Sequence, residues 1–229
     1  MTFQLDGISS MATRQVLADL SESYEQRTRM QAAFRSMGGV EAARLVRAGE
    51  PTDVVVLAAS VMEQLESEGH IVPGTRVGLA RSGIAMAVRS GAPRPSVDDG
   101  EAVKQAILDA RTICYSTGPS GEHLMRLWER WGIAATVSPR ALQAPPGVPV
   151  GAMLARGEAD LGFQQLSELL PISGIEIVGL LPAEIQAMTV FTAGVATTSS
   201  RREEARALVV YLTSPEAEAA KHRHGMEPA

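Results

Sequence analysis

The chain repeats its own grammar, and that repeat limits the folds open to it more than any other feature. "GISSMATRQVLADL" runs from a strand end through paired hydroxyls into a helix, and "CYSTGPSGEHLMRLW" does the same. Each is followed by helix, glycine, acid and strand, in "RAGEPTDVVVLAAS" and "ARGEADLGFQQLSE". The separation of Ser9 from Gly49 matches that of Ser116 from Gly157 to within one residue. Two similar α/β lobes fit such a repeat better than one continuous sheet. A tandem of two complete domains fits less well, because the first unit lacks closing elements, while residues 189–224 supply the strand "TVFTAGVAT" and helices. The expected organisation is lobe 1 from residues 1–82 plus 189–229 and lobe 2 from residues 83–188. Two crossings, near Arg81–Gly83 and Gln186–Thr189, then make a hinge, with a ligand cleft between the lobes.

The periodicity inside each repeat agrees with an α/β protein. Val16, Leu17, Leu20 and Tyr24 recur at the helical period, as do Val40, Ala43 and Val46, whose helix should stop at Gly49. "DVVVLAA" is a short apolar β-branched run, the pattern of a strand covered on both faces. Val61, Met62 and Leu65 open a helix that Gly69 should end, and "IAMAVR" reads as a strand followed by the loop "SGAPRPS". Val103, Ala106, Ile107 and Ala110 form a helical face, and "TICYS" is the next strand. Leu124, Leu127, Trp128 and Trp131 line a helix closed by Gly132. Alternating strands and helices predict parallel sheets.

Composition narrows the function. The 229 residues are 45% apolar and 21% charged, with a net charge of −5, so the basic footprint of a nucleic-acid partner is missing. A single cysteine, Cys114, excludes an intrachain disulfide framework and reads as a small buried residue. No apolar run reaches the roughly 18 residues of a membrane helix. The start, "MTFQLDGISSMATRQ", lacks the basic and apolar regions of a signal peptide. The expectation is a cytoplasmic protein as written, or a periplasmic one where an export signal has been removed.

Hydroxyl-rich loops at helix starts have two readings. Ser and Thr cap helices by satisfying orphan N–H groups. Helix N-termini also carry partial positive charge and exposed donors, so each is a half-site for an anion. Two such loops in matching positions of two lobes would make a whole site. Gly118 and Gly121 would let the backbone approach a ligand, and Pro119 would stiffen that approach. "APPGVPVGAML" is a third candidate: Pro149 suits the first helical position, leaving the N–H groups of Val150 and Gly151 unpaired within the helix. "TGPSGEH" misses the last glycine of a nucleophile elbow, and no G-K-[ST] or G-x-G-x-x-G follows a strand, so no nucleotide cofactor is expected. His123, read as first-turn, is either solvent-facing or a neutral imidazole available to accept a proton. His222 and His224 fit a helix C-terminus better than a metal site. Glu168, Gln164 and Gln165 are either a polar rim or ligands of a cleft. Arg81 could grip a carboxylate bidentately, or simply pair with a surface acid beside Ser82.

The helix–Gly-Glu-x-Asp–"LGF" segment, the strand pair around the hinge and the ending "LVVYLTSPEAEAAKHRHGMEPA" resemble molybdate-type solute-binding proteins of the type II periplasmic-binding-protein fold. The resemblance spans nearly the whole chain. It implies two α/β lobes, two hinge strands and one oxyanion held in the cleft without metal or cofactor, with an ABC permease as partner if the protein is exported. It places Ser9 and Ser10, with Met11 beside them, on the ligand from the first lobe. Thr117, Gly118, Ser120 and Gly121 contribute from the second, along with Val148 or Val150, and Tyr115 and Ser116 just before them are further candidates. Ser60 joins the first-lobe set. Two positions depart from the family pattern. The second-loop serine falls at Gly38–Gly39, and the tyrosine after the "GF" strand is replaced by Gln164–Gln165. Fewer hydroxyl donors leave room for a larger organic anion, such as a polycarboxylate. Some relatives of this fold resemble aconitate isomerases, which shift a double bond in an unsaturated tricarboxylate. Three functions therefore stand open: anion binding alone; isomerisation with His123, Glu122 or Glu168 as base; and, last, serine hydrolysis at Ser120, for which no Ser–His–acid order is visible.

Overall fold

The computed structural model describes residues 4–229. The first half of the chain contains β1 (Gln4–Ser10), α1 (Arg14–Thr28), β2 (Gln31–Met37), α2 (Gly39–Arg47), β3 (Val54–Ala58), α3 (Ala59–Ser67), β4 (Val77–Ser82), β5 (Ile84–Arg89) and α4 (Gly100–Asp109). There follow β6 (Ile113–Tyr115), α5 (Pro119–Arg130), α6 (Ala134–Val137), β7 (Ala141–Gln143), α7 (Val150–Ala155), β8 (Leu161–Gln165) and α8 (Leu166–Leu169). The chain ends with β9 (Ile175–Leu180), β10 (Thr189–Val195), α9 (Arg202–Leu212), α10 (Glu218–Arg223) and β11 (Glu227–Pro228). It divides into two compact units. One is the described chain up to Arg81 together with Thr189–Ala229, and the other is Ser82–Met188. The chain passes between them twice, within β4 and directly before β10.

In the first unit six strands run in the order β11-β4-β10-β3-β1-β2. β1 is parallel to both β2 and β3, while β10 is antiparallel to β3. The run "VVVL" explains why β3 lies inside. Side chains alternate across a strand, and Val54 and Val56 enter one core with Leu5, Val16, Leu17, Leu20 and Leu208. Val55 and Leu57 enter the other with Ile8, Ala42, Ala43, Val46, Met62 and Leu65. All four are fully buried. Helices therefore cover both faces, as a near-continuous apolar strand requires.

The second unit repeats the plan in five strands, ordered β7-β6-β8-β5-β9. β6 is parallel to β7 and β8, and β5 is antiparallel to β8 and β9. Ile84, Met86 and Val88 of β5 pack with Val103, Ile107, Leu124 and Trp128 on one face. Ala85 and Ala87 pack with Val150, Met153 and Leu154 on the other. Cys114 is fully buried, and burial pushes its thiol up to about 12, so it is inert in neutral solution.

The two glycines of the repeat do the same job. Gly49 and Gly157 have φ of +75° and +74°, where a side chain is strained. Gly49 N–H donates to Val46 O and Glu50 N–H to Leu45 O. Gly157 N–H and Glu158 N–H repeat this with Leu154 O and Met153 O. Both helices close with the same left-handed cap.

Several expectations need correction. Val40 does not lie on the buried face of its helix; it is 82% exposed, and the core takes Ala42, Ala43 and Val46. Pro149 is the N-cap of α7 rather than its first helical residue, with extended backbone at ψ 140°. His123 is the fifth residue of α5, beyond the first turn. β2, β4, β7 and β9 had no clear sequence signal. At the end of the chain, His224 Nε2 and Arg223 Nη2 each lie 3.0 Å from Asp19 Oδ2, tying α10 to α1. Among the described residues no group of three His, Cys, Asp or Glu is placed to hold a metal ion. Nor is any described helix long and apolar enough to cross a membrane.

Candidate functional site

Parallel strands send all their helix N-termini to one edge of a sheet, and ligands of α/β proteins bind outside that edge. In the first unit this edge is formed by the ends of β1, β2 and β3, from which η-turn Met11–Thr13 and helices α2 and α3 begin. Strand register sets Ser9 opposite Ser36, and their hydroxyls meet at 2.8 Å. Thr13 Oγ1 donates its proton to Ser10 O at 3.1 Å, which leaves Ser10 Oγ the donor in its longer 3.4 Å contact with Thr13 Oγ1. Ser9 is fully buried and Ser10 is 8% exposed. Met11 is half-buried beside them, and Ser60 lies exposed in the first turn of α3.

Ser36 was missed from sequence. It stands two residues before Gly38, on a strand whose polar–apolar pattern gave no warning. Gly38 and Gly39 themselves face open space: a Cβ at either would meet nothing within 4 Å.

In the second unit the corresponding edge carries the ends of β6, β7 and β8 and the starts of α5, α7 and α8. Ser116 Oγ and Ser120 Oγ are 2.8 Å apart, and Ser116 Oγ also accepts from Gly118 N–H at 3.3 Å. At Gly121 the chain passes close to itself; an added Cβ would lie 1.8 Å from Ser116 O. Tyr115 packs edge-on against Trp128, with ring centroids 5.5 Å apart. Thr117 is exposed and Ser120 is buried.

The backbone donors here are largely occupied. Gly121 N–H and Glu122 N–H both donate to Gly118 O, as a helix start does to its own cap. Val150 N–H, expected to be open to a ligand, donates instead to Gln164 Oε1 at 3.0 Å. Val150 is wholly in the core and Val148 half-buried against it. The Ser116–Ser120 hydroxyl pair adds side-chain donors to whatever peptide nitrogens this edge offers an anion.

The base candidates separate clearly. Glu122 is exposed and reaches Arg126 at 3.9 Å across one helical turn. His123 Nε2 donates to Ile185 O at 2.7 Å, since a carbonyl can only accept, so that nitrogen takes no further proton. Arg81 pairs with Glu227 at 2.9 Å, both about half exposed, which is the surface-pair reading. Ser82 is fully buried and its hydroxyl has no partner. Glu168 differs from all of these. It follows β8 in α8, half-buried, and its Oε2 accepts from Gln164 Nε2 at 2.7 Å. Burial pushes its carboxyl up to about 7, against the opposing pull of the Gln164 hydrogen bond. Gln165, also buried, occupies the N-cap position of α8.

Two α/β units joined by two chain crossings, each with hydroxyl-bearing strand-to-helix turns, define the type II periplasmic-binding-protein fold. Solved structures agree on that fold. The periplasmic molybdate-binding protein of Azotobacter vinelandii superposes with a TM-score of 0.80 at 21% identity, covering 97% of this chain and 98% of that one. The tungstate ABC transporter protein of Geobacter sulfurreducens superposes at 0.74 with 16% identity, covering 95% and 97%. The chain belongs to the bacterial extracellular solute-binding protein family, whose model matches residues 5–227. Over 228 residues it is 40% identical to an aconitate isomerase from Pseudomonas sp., covering 96% of this chain and 86% of that protein.

Proposed function

We propose that the protein binds an unsaturated tricarboxylate and shifts its double bond, as an aconitate-isomerase-like enzyme. The observation that carries this reading is the 40% identity to an aconitate isomerase along 96% of the chain. The chemistry of the second unit's edge supports it. A carboxyl that titrates near neutrality suits a group that must both take and return a proton, because the best general base has a pKa close to the working pH.

In this scheme Glu168 removes a proton from the substrate's CH2 group, which stands between a carboxylate and the C=C bond. The electron pair of the broken C–H bond moves into the conjugated system as the double bond shifts towards the former CH2 carbon. Negative charge spreads onto the adjoining carboxylate. Glu168, now a carboxylic acid, returns its proton to the far allylic carbon. Atoms and charge balance, and no oxidant or cofactor is consumed. The Ser116–Ser120 pair supplies hydroxyl donors for a carboxylate on the same unit. The Ser9–Ser36 and Ser10–Thr13 hydroxyls form a second cluster of the same chemical character on the other unit.

Incubation of the full chain with trans-aconitate, followed by proton NMR, tests the activity. The expected outcome is conversion of the vinyl and methylene signals to those of the cis isomer. Unchanged spectra at high protein concentration would remove aconitate isomerisation. A second measurement tests the ligand class alone: trans-aconitate and citrate should raise the melting temperature more than molybdate or sulfate does, since bound ligand stabilises the folded state. A shift from molybdate only would reject the organic anion.

The family's description favours one other reading, that of a solute-binding protein which holds the same ligand unchanged; the ABC-transporter names of its structural neighbours add a permease as the receiver. Ligand stabilisation without turnover would select it.

A further inference from the structure

We propose that Gln164 is the positioning residue of this site: it presents Glu168 with N–H only, and so keeps one carboxyl oxygen, Oε1, as the atom that exchanges the proton. The inference rests on the isomerase reading above for its catalytic meaning, and on geometry for the rest.

Gln164 is 3% exposed and sits on β8, the middle strand of its sheet, where it is opposite Ala85 of β5. An amide side chain can be turned either way about its last bond, and only its partners decide which end is oxygen. Here the choice is forced. Val150 N–H points at one end from 3.0 Å, and a backbone N–H can only donate, so that end is the carbonyl oxygen. The other end is therefore NH2, and it lies 2.7 Å from Glu168 Oε2. Turning the amide over would set donor against donor at Val150 and acceptor against acceptor at the ionised Glu168.

A donor facing Oε2 has two consequences. It stabilises the carboxylate, which works against the burial that favours the acid. It also makes Oε2 the poorer site for the proton, because a hydroxyl oxygen accepts the Gln164 N–H less well than a carbonyl or carboxylate oxygen does. When Glu168 is protonated, Oε1 is therefore the favoured seat of the proton. Among the described residues, the elements packed most closely on α8 bring little charge to it. α8 packs against β5, β8 and α7. Neither β8 nor α7 carries an ionisable side chain. The only one on β5, Arg89, ends that strand, and its Nη1 lies 3.2 Å from where a Cβ on Gly157 would stand.

The test uses the full chain carrying Gln164→Glu, which keeps the shape and the acceptor for Val150 but replaces the donor by an oxygen. Glutamate labelled with 13C at the carboxyl is titrated by NMR, and the Glu168 signal is assigned by its loss in Glu168→Gln. The two carboxyls of Gln164→Glu must then share a proton, so the last proton should leave at least one pH unit higher than in the parent, a tenfold change in proton affinity. The acid limb of the pH–rate profile on trans-aconitate should move by the same amount, with KM changing much less than kcat. Gln164→Met, which removes the donor without adding charge, should also move the titration upward and serves if the first variant fails to fold. A Glu168 midpoint unmoved in a folded variant, or a uniform loss of rate with no shift of the profile, would overturn the assignment. A parent protein that turns over no trans-aconitate while its variants show the shifted titration would instead remove the isomerase reading and leave the control of Glu168 standing.

Discussion

Glu168→Gln is expected to lower turnover of trans-aconitate by about 100- to 10,000-fold, the range a general base contributes, while the ligand still raises the melting temperature. Glutamine has the same shape, and its Oε1 can still accept from Gln164 Nε2, so binding should survive the loss of the proton acceptor. The same variant should gain stability in a pH-dependent way. The folded carboxyl titrates near 7 and the unfolded one near 4.5, so between these values the folded state holds more protons. Stability contributed by this group is complete below pH 4.5 and declines as pH rises through 7. Glu168→Gln lacks that decline. Its advantage over the parent should be small at pH 4.5 and grow to about 2–3 kcal/mol at pH 8, or roughly 5–10 °C in a chain of this size. Calorimetry at both pH values, beside the NMR assay, checks the two halves separately. Full activity in this variant would remove Glu168 from the mechanism.

Gly121→Ala should be the most damaging conservative change on the same edge. The new methyl carbon would lie 1.8 Å from Ser116 O, 2.9 Å from its carbonyl carbon and 3.0 Å from Tyr115 Cδ2. Two of those atoms are backbone, so the loop itself must move. We expect a loss of about 3 kcal/mol or more and a fall of roughly 10 °C in melting temperature. Gly118→Ala is the control: its nearest neighbour, Ser116 Oγ, is 3.9 Å away, and its φ of −92° suits any residue. It should cost less than about 1 kcal/mol, as substitutions clear of such contacts do. Equal losses from both would show that flexibility, rather than close approach, governs this turn.

These features differ in how far the sequence exposed them. Helix ends at Gly49, Gly69, Gly132 and Gly157 were readable because a left-handed cap needs a local residue type, and all four have positive φ. β3 was readable because burial on both faces leaves an unbroken apolar run. β2 was not, since "QAAFRSM" is an edge strand whose residues are half-buried or exposed and whose apolar and polar residues do not alternate. Ser36 was lost with it. The remaining misses are long-range pairings. Ile185 O takes the His123 nitrogen from across the unit, and Glu227 takes Arg81 from the far end of the chain. Gln164 reaches back to the start of α7. Glu168 stood level with His123 and Glu122 until those partners were visible.

The placement of β10 has a consequence for biosynthesis. This strand lies between β4 and β3 in the interior of its sheet, yet it is made only after the whole inserted unit has been translated. Until it arrives, Val54–Leu57 present an apolar strand with an open flank, the kind of surface on which nascent chains stick to one another. The inserted unit has its own continuous segment and can collapse on the ribosome without waiting. The sheet of the first unit is thus closed by a strand that arrives only after the inserted unit is complete in sequence.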